Sequence, residues 1–179
     1  MAEIRATSSR VAYETRHLRV REDRIVHADG SPGIYSVVEK ADYALIVPQE
    51  PDGRLWLVEQ FRYPVGRRLW EFPQGGWSEA PEAPDPEALA RLELRQETGL
   101  RAGRLRHLGH LYEACGYCDQ GFDVFLATDL EPGEPEREPS EAGMRAEPFP
   151  PAQIEDMIRS GVLKDAPTVA AYGLLRLGF

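Results

Sequence analysis

Two carboxylates four residues apart, Glu93 and Glu97, are the residues of this chain best spaced for chemistry. On a helix that spacing stacks them one above the other, where like charges repel. A hard divalent cation such as Mg²⁺ or Mn²⁺ relieves that repulsion through oxygen ligands, with Arg91 and Arg95 able to relieve a share of it. A merely solvated helix face is the bland alternative for such a pair.

The stretch around them, Pro86 to Leu100, carries both ends of a helix. Pro86 suits a first helical position, Glu87 sits where the macrodipole favours negative charge, and Gly99 follows Thr98 as a left-handed cap. Ala90 with Leu94, and Ala88 with Leu92, form an apolar stripe on a different face from the glutamates.

The run Leu92-Glu93-Leu94-Arg95-Gln96-Glu97-Thr98-Gly99-Leu100 resembles the C-terminal half of the Nudix box. Glu71-Phe72-Pro73-Gln74-Gly75-Gly76 resembles the entry loop of that family's ADP-ribose pyrophosphatase branch. The chain departs from the pattern in three places: Leu92 replaces an arginine, Gln96 the middle glutamate, and Pro84 the upstream glutamate. The loop from Gly76 to Asp85 is also longer than the standard spacing, which would put Ser78 at the glycine position. Glu93 and Glu97 keep two of the family's metal carboxylates, and with the third missing, fewer or weaker metal sites are expected than the family has.

The resemblance implies a set of site residues. Glu93 and Glu97 would be metal ligands and catalytic, and a backbone carbonyl near Gln74 or Gly75 would be a further ligand. Glu141, with Glu138 in reserve, would be the glutamate on the loop before the last strand that serves as general base or ligand. Arg62, at a strand end beside Tyr63, could grip a diphosphate in bidentate fashion or be an ordinary surface arginine. Glu71 of the entry loop is assigned to the substrate side.

The elements that must position these residues follow from pattern. Arg10 to Asp29 alternates as a hairpin, and Asp29-Gly30-Ser31-Pro32-Gly33 is turn chemistry. Ile34–Glu39, Tyr43–Pro48 and Leu55–Phe61 are expected as three strands in hairpin succession. Trp70 is expected in the core, although its ring would also suit an adenine face. Arg104–Tyr112 and Phe122–Thr128 alternate as two more strands. On the first, His107 and His110 should point to opposite faces and make a poor ligand pair. Leu130 to Ala142, acidic and rich in proline and glycine, has the composition of a mobile loop. A strand over Gly143–Phe149 precedes a helix over Pro151–Ser160, and Asp165 caps a last helix with Pro167 in its first turn.

This order of elements gives an α/β chain with a mixed sheet flanked by helices, resembling the Nudix α/β/α sandwich, with a small N-terminal β hairpin or sheet. The expected division is residues 1–33 as the N-terminal β segment and 34–179 as the catalytic domain. By analogy with the branch, the first segment would make a homodimer.

Composition bounds the function. With 42% hydrophobic and 28% charged residues in 179, the chain can bury a core. A formal net charge of −9 disfavours a nucleic-acid backbone as partner. No apolar run approaches a membrane span or signal peptide, so a cytoplasmic protein is expected. Cys115-Gly116-Tyr117-Cys118 has redox spacing but lacks the helix a thioredoxin-like site requires, and is expected as a loop with reduced thiols.

The expected activity is metal-dependent hydrolysis of the pyrophosphate bond of a nucleoside diphosphate sugar. ADP-ribose is the first choice of substrate and Mg²⁺ or Mn²⁺ the cofactor. The competing expectation, from Leu92 and Gln96, is a Nudix-fold nucleotide-binding or regulatory module without turnover.

Overall fold

The computed structural model describes residues 3–77, 85–137, 141 and 143–179. Ser78, Pro84 and Glu138, named above, lie outside these. The described chain falls into two units, one of residues 1–42 with 112–121, the other of 43–111 with 122–179.

In the first unit, β1 (Ile4–Glu14), β2 (Arg19–His27) and β3 (Pro32–Glu39) form an antiparallel sheet in sequence order. The expected hairpin is present and begins earlier, at Ile4. Ile34–Glu39 pairs with β2 along its length, Arg19 opposite Glu39 and Arg24 opposite Ile34, so this strand belongs to the N-terminal sheet. The Cys115–Cys118 segment closes on β3. Val38 donates its N–H to the Tyr117 carbonyl at 2.7 Å, and the Tyr35 hydroxyl donates to the Gly116 carbonyl at 2.7 Å. Both cysteines are free thiols, as the loop reading expected.

The second unit is built on β4 (Tyr43–Pro48), an unbroken apolar run. Such a run signals a strand covered on both faces, and alternate side chains here enter two separate cores. Leu45 and Val47 join Phe122, Val124, Ile154 and Tyr172, whereas Ala44 and Ile46 join Leu89, Ala90, Leu94 and Phe125. Each large side chain so buried contributes roughly 1.5–3 kcal/mol. The helices supplying these partners are α1 (Pro86–Thr98) to one core, and α2 (Pro151–Arg159) and α3 (Ala166–Leu177) to the other. An α/β/α sandwich results.

Pairing departs from the expected hairpin succession. β4 runs parallel to β9 (Gly121–Glu131), Tyr43 opposite Phe122, and antiparallel to the two-residue β7 (Gln74–Gly75). The sheet order is β7-β4-β9-β8, with β8 at Arg101–Tyr112. A second, antiparallel sheet orders β10 (Arg145–Phe149), β5 (Leu55–Arg62) and β6 (Arg67–Glu71). Local turn residues predict which strands exist, but the partner of a doubly covered strand is chosen by core packing.

Trp70 on β6 meets Phe149 edge-on at 4.9 Å, the core role expected of it. His107 and His110 do not diverge as simple alternation predicts. Both approach the same Asp123 oxygen, at 2.7 and 3.5 Å, on either side of Gly109, whose positive φ of 154° breaks the alternation.

Candidate active site

Helix α1 starts where the sequence marks it. Asp85 accepts N–H bonds from Glu87 and Ala88 at 3.0 and 3.2 Å, and Gly99 ends the helix at φ 80°. Its inward face carries Leu89, Ala90 and Leu94, and also Glu93 and Glu97. The glutamates are therefore not on a solvated face, since Glu97 is 2% exposed and Glu93 6%. Arg91 turns to Glu87 at 2.8 Å and to the Ala102 carbonyl at 2.7 Å, while Arg95 faces Glu136 at 3.3 Å.

Glu141 comes to the same place. A carboxylate oxygen from each of Glu93, Glu97 and Glu141 lies within 4.8 Å of the other two. Glu97 consequently holds its proton well above the ordinary 4.5, first because burial penalises the charge, then because Glu93 and Glu141 repel it. The Gln74 N–H, donated to Glu97 Oε2 at 3.1 Å, and the Arg62 charge oppose this without reversing it.

Three carboxylates crowded together, two buried and one half-buried, with one of them reluctant to ionise, fit a hard divalent cation. Ligation requires the carboxylate form, so affinity for Mn²⁺ should rise with pH as Glu97 gives up its proton. Calorimetric titration at about pH 6 and about pH 8 should show tighter binding at the higher pH, with protons released into the buffer. Equal affinity without proton release would remove Glu97 from the ligand set.

The entry loop is pressed against this cluster. A Cβ on Gly75 would fall 2.5 Å from Glu93 Oε2, so any side chain there would push the carboxylate out of its place. Glu71, which opens the loop, is 0% exposed and is held by Arg62 through Nε at 2.9 Å and Nη2 at 2.5 Å. Burial acts to lower the Arg62 pKa, but Glu71 with Glu97 and Asp165 outweighs it and the value is raised. Gln74 Nε2 donates to Glu71 at 2.9 Å and makes a long contact with Asp165 Oδ2 at 3.4 Å.

Asp165 also caps α3, accepting the Thr168 N–H at 2.9 Å, and Thr168 Oγ1 accepts the Phe72 N–H at 2.9 Å. The last helix thus fastens the entry loop. Sequence reasoning found the Asp165 cap but missed its tertiary partner Gln74, because a capping pattern carries no information about a segment 91 residues away.

Glu93, Glu97, Glu141, Gln74, Glu71 and Arg62 are therefore neighbours. The segment expected to be mobile is in part anchored: β9 runs to Glu131, and the Glu136 N–H bonds the Gln96 carbonyl at 3.0 Å. Composition alone exposes no such bond, because the donors and acceptors are backbone groups.

The chain belongs to the Nudix family, and the carboxylate cluster between the glycine-bearing entry loop and the capped helix is its candidate metal site. The NUDIX domain model matches residues 39–172, and the nucleoside diphosphate sugar hydrolase N-terminal domain model matches residues 4–38. An ADP-ribose pyrophosphatase of Mycobacterium tuberculosis is 33% identical over 165 residues, covering 89% of this chain and 79% of that one. One of Bacillus subtilis is 31% identical over 110 residues, 62% of this chain and 58% of that one. In fold, the chain is similar to a solved ADP compounds hydrolase at TM-score 0.85 and 20% identity, over 99% and 94% of the two chains.

Proposed function

We propose that the protein hydrolyses the pyrophosphate bond of a nucleoside diphosphate sugar, with ADP-ribose the first substrate, giving AMP and a sugar phosphate. The observation carrying this reading is the convergence of Glu93, Glu97 and Glu141. Cleavage of a phosphoanhydride needs its oxygens' charge neutralised and a water partly deprotonated. Mg²⁺ or Mn²⁺, when bound, supplies the first of these as a Lewis acid.

The protein groups divide the remaining work. Glu93 and Glu97, with the Gln74 carbonyl, would hold the cation. Glu141 would offer one carboxylate oxygen to the cation and, with the other, take the proton from the attacking water. Arg62, with 39% of its side chain exposed above Glu71, faces the diphosphate, and Glu71 fixes the guanidinium's orientation.

AMP release from ADP-ribose, followed by mass with and without Mg²⁺, tests the proposal. Metal-dependent AMP is the expected product. Nucleotide binding without any product would favour the binding-module reading that Leu92 and Gln96 suggested, and another cleaved sugar nucleotide would correct the substrate.

The same reading includes a homodimer formed through the N-terminal sheet, which leaves Ile4, Val11, Tyr13, Ile34 and Tyr35 exposed. Light scattering should give twice the chain mass, and a monomer would refute it. No helix among the described residues is long and apolar enough to cross a membrane. We place the protein in the cytoplasm, and recovery in the membrane fraction of lysed cells would contradict this.

A further inference from the structure

The last turn of a helix leaves carbonyls without intrahelical donors. In α1, Arg95 accepts from the Gly99 N–H at 2.9 Å, which is the ordinary glycine cap. The next two carbonyls are satisfied from elsewhere. Gln96 accepts from the Glu136 N–H at 3.0 Å, and Glu97 accepts from Arg137 Nε at 3.2 Å. Arg137 lies 40 residues beyond Glu97 in sequence, and its positive charge suits a helix C-terminus. A Cβ on Gly99 would collide with the Gly133 carbonyl, so the incoming segment packs against the cap as well.

Glu97 is consequently held twice, its carboxylate by the Gln74 N–H and its carbonyl by Arg137. The segment that supplies Arg137 is also the one that leads to Glu141, whose carboxylate stands with those of Glu93 and Glu97. We propose that Arg137 is a positioning residue whose guanidinium, on the Glu97 carbonyl, registers the acidic segment on the end of α1 and so sets Glu141 in the carboxylate cluster. The inference rests on the role given to that cluster above. Arg137 touches none of the reacting atoms and acts through Glu141.

The test is a double-mutant cycle read by Mn²⁺ titration without substrate. Arg137→Ala should weaken Mn²⁺ binding about 10-fold, as loss of a group supporting a ligand does. Arg137→Lys, which keeps a cationic donor, should recover part of that loss. In a Glu141→Gln background, Arg137→Ala should cost nothing further, because the group it positions is already gone. Turnover of ADP-ribose by Arg137→Ala should lose kcat about 10-fold with KM almost unchanged. Hydrogen exchange should show the Glu136 amide losing protection.

Wild-type Mn²⁺ affinity in Arg137→Ala, or a loss that adds in full to that of Glu141→Gln, would overturn the proposal. If Arg137→Ala fails to fold, Arg137→Lys carries the same cycle. A wild type that binds Mn²⁺ but cleaves nothing would sink the hydrolase reading alone, since the titration needs no substrate. A wild type that binds no Mn²⁺ would overturn the inference together with the metal site.

Discussion

Glu97→Gln should abolish metal-dependent turnover while making the metal-free protein more stable. A cation held at the cluster contributes several kcal/mol to the transition state, so losing its most buried ligand should cost on the order of 10³-fold in rate. Glutamine keeps the side-chain length and an oxygen to accept the Gln74 N–H, so packing is preserved. It also removes a carboxylate that burial, Glu93 and Glu141 make hard to ionise.

The sign of the stability change follows from linkage. A carboxyl with a raised folded-state pKa stabilises the fold while protonated, fully so below its unfolded value near 4.5, and that contribution is lost as pH rises through the raised value. In chelator, the advantage of Glu97→Gln over wild type should therefore be absent at acid pH. It should grow upward from about pH 4.5 and level off above the raised pKa. Thermal melts across that range, paired with AMP assays, check both halves. A variant that is less stable at every pH, or one that retains turnover, would contradict the assignment.

Arg62→Ala should have the largest effect on the fold itself. Glu71 is 0% exposed, and its Arg62 partner reaches it with two nitrogens. Removing one member of a buried pair strands the other, at about 3–5 kcal/mol. Because 39% of the Arg62 side chain is exposed, water can reach the stranded carboxylate through the gap, and the lower end, about 3 kcal/mol, is expected. Urea unfolding should show a lower midpoint without a change in slope.

Arg62→Met combined with Glu71→Gln should regain most of this, since neutral groups of similar volume leave no charge behind. Activity should not return in the double variant if Arg62 also faces substrate. Full recovery of both would reduce Arg62 to a purely structural role, and no loss of stability in Arg62→Ala would show that Glu71 finds another partner.

The signals that were legible in the sequence are local ones. The Pro86, Glu87 and Gly99 markers bounded α1, Asp165 began α3, the carboxylate spacing and the box resemblance picked out Glu93 and Glu97, and the family resemblance pointed to Glu141. What could not be read depends on packing between distant segments. Helical spacing put Glu93 and Glu97 on one face but could not say that this face is covered. Turn residues could not show that Tyr43–Pro48 takes Phe122–Ala127 as its parallel neighbour. The acidic composition of Leu130–Ala142 concealed two bonds to the end of α1, because one donor is a backbone N–H and the other a single arginine among many.

The most direct measurement is anomalous diffraction from crystals soaked in Mn²⁺. A peak with oxygens of Glu93, Glu97 and Glu141 at about 2.0–2.6 Å, the range of hard-cation ligation, is the predicted result. Manganese bound only elsewhere, with these three carboxyl groups unligated, would contradict the account.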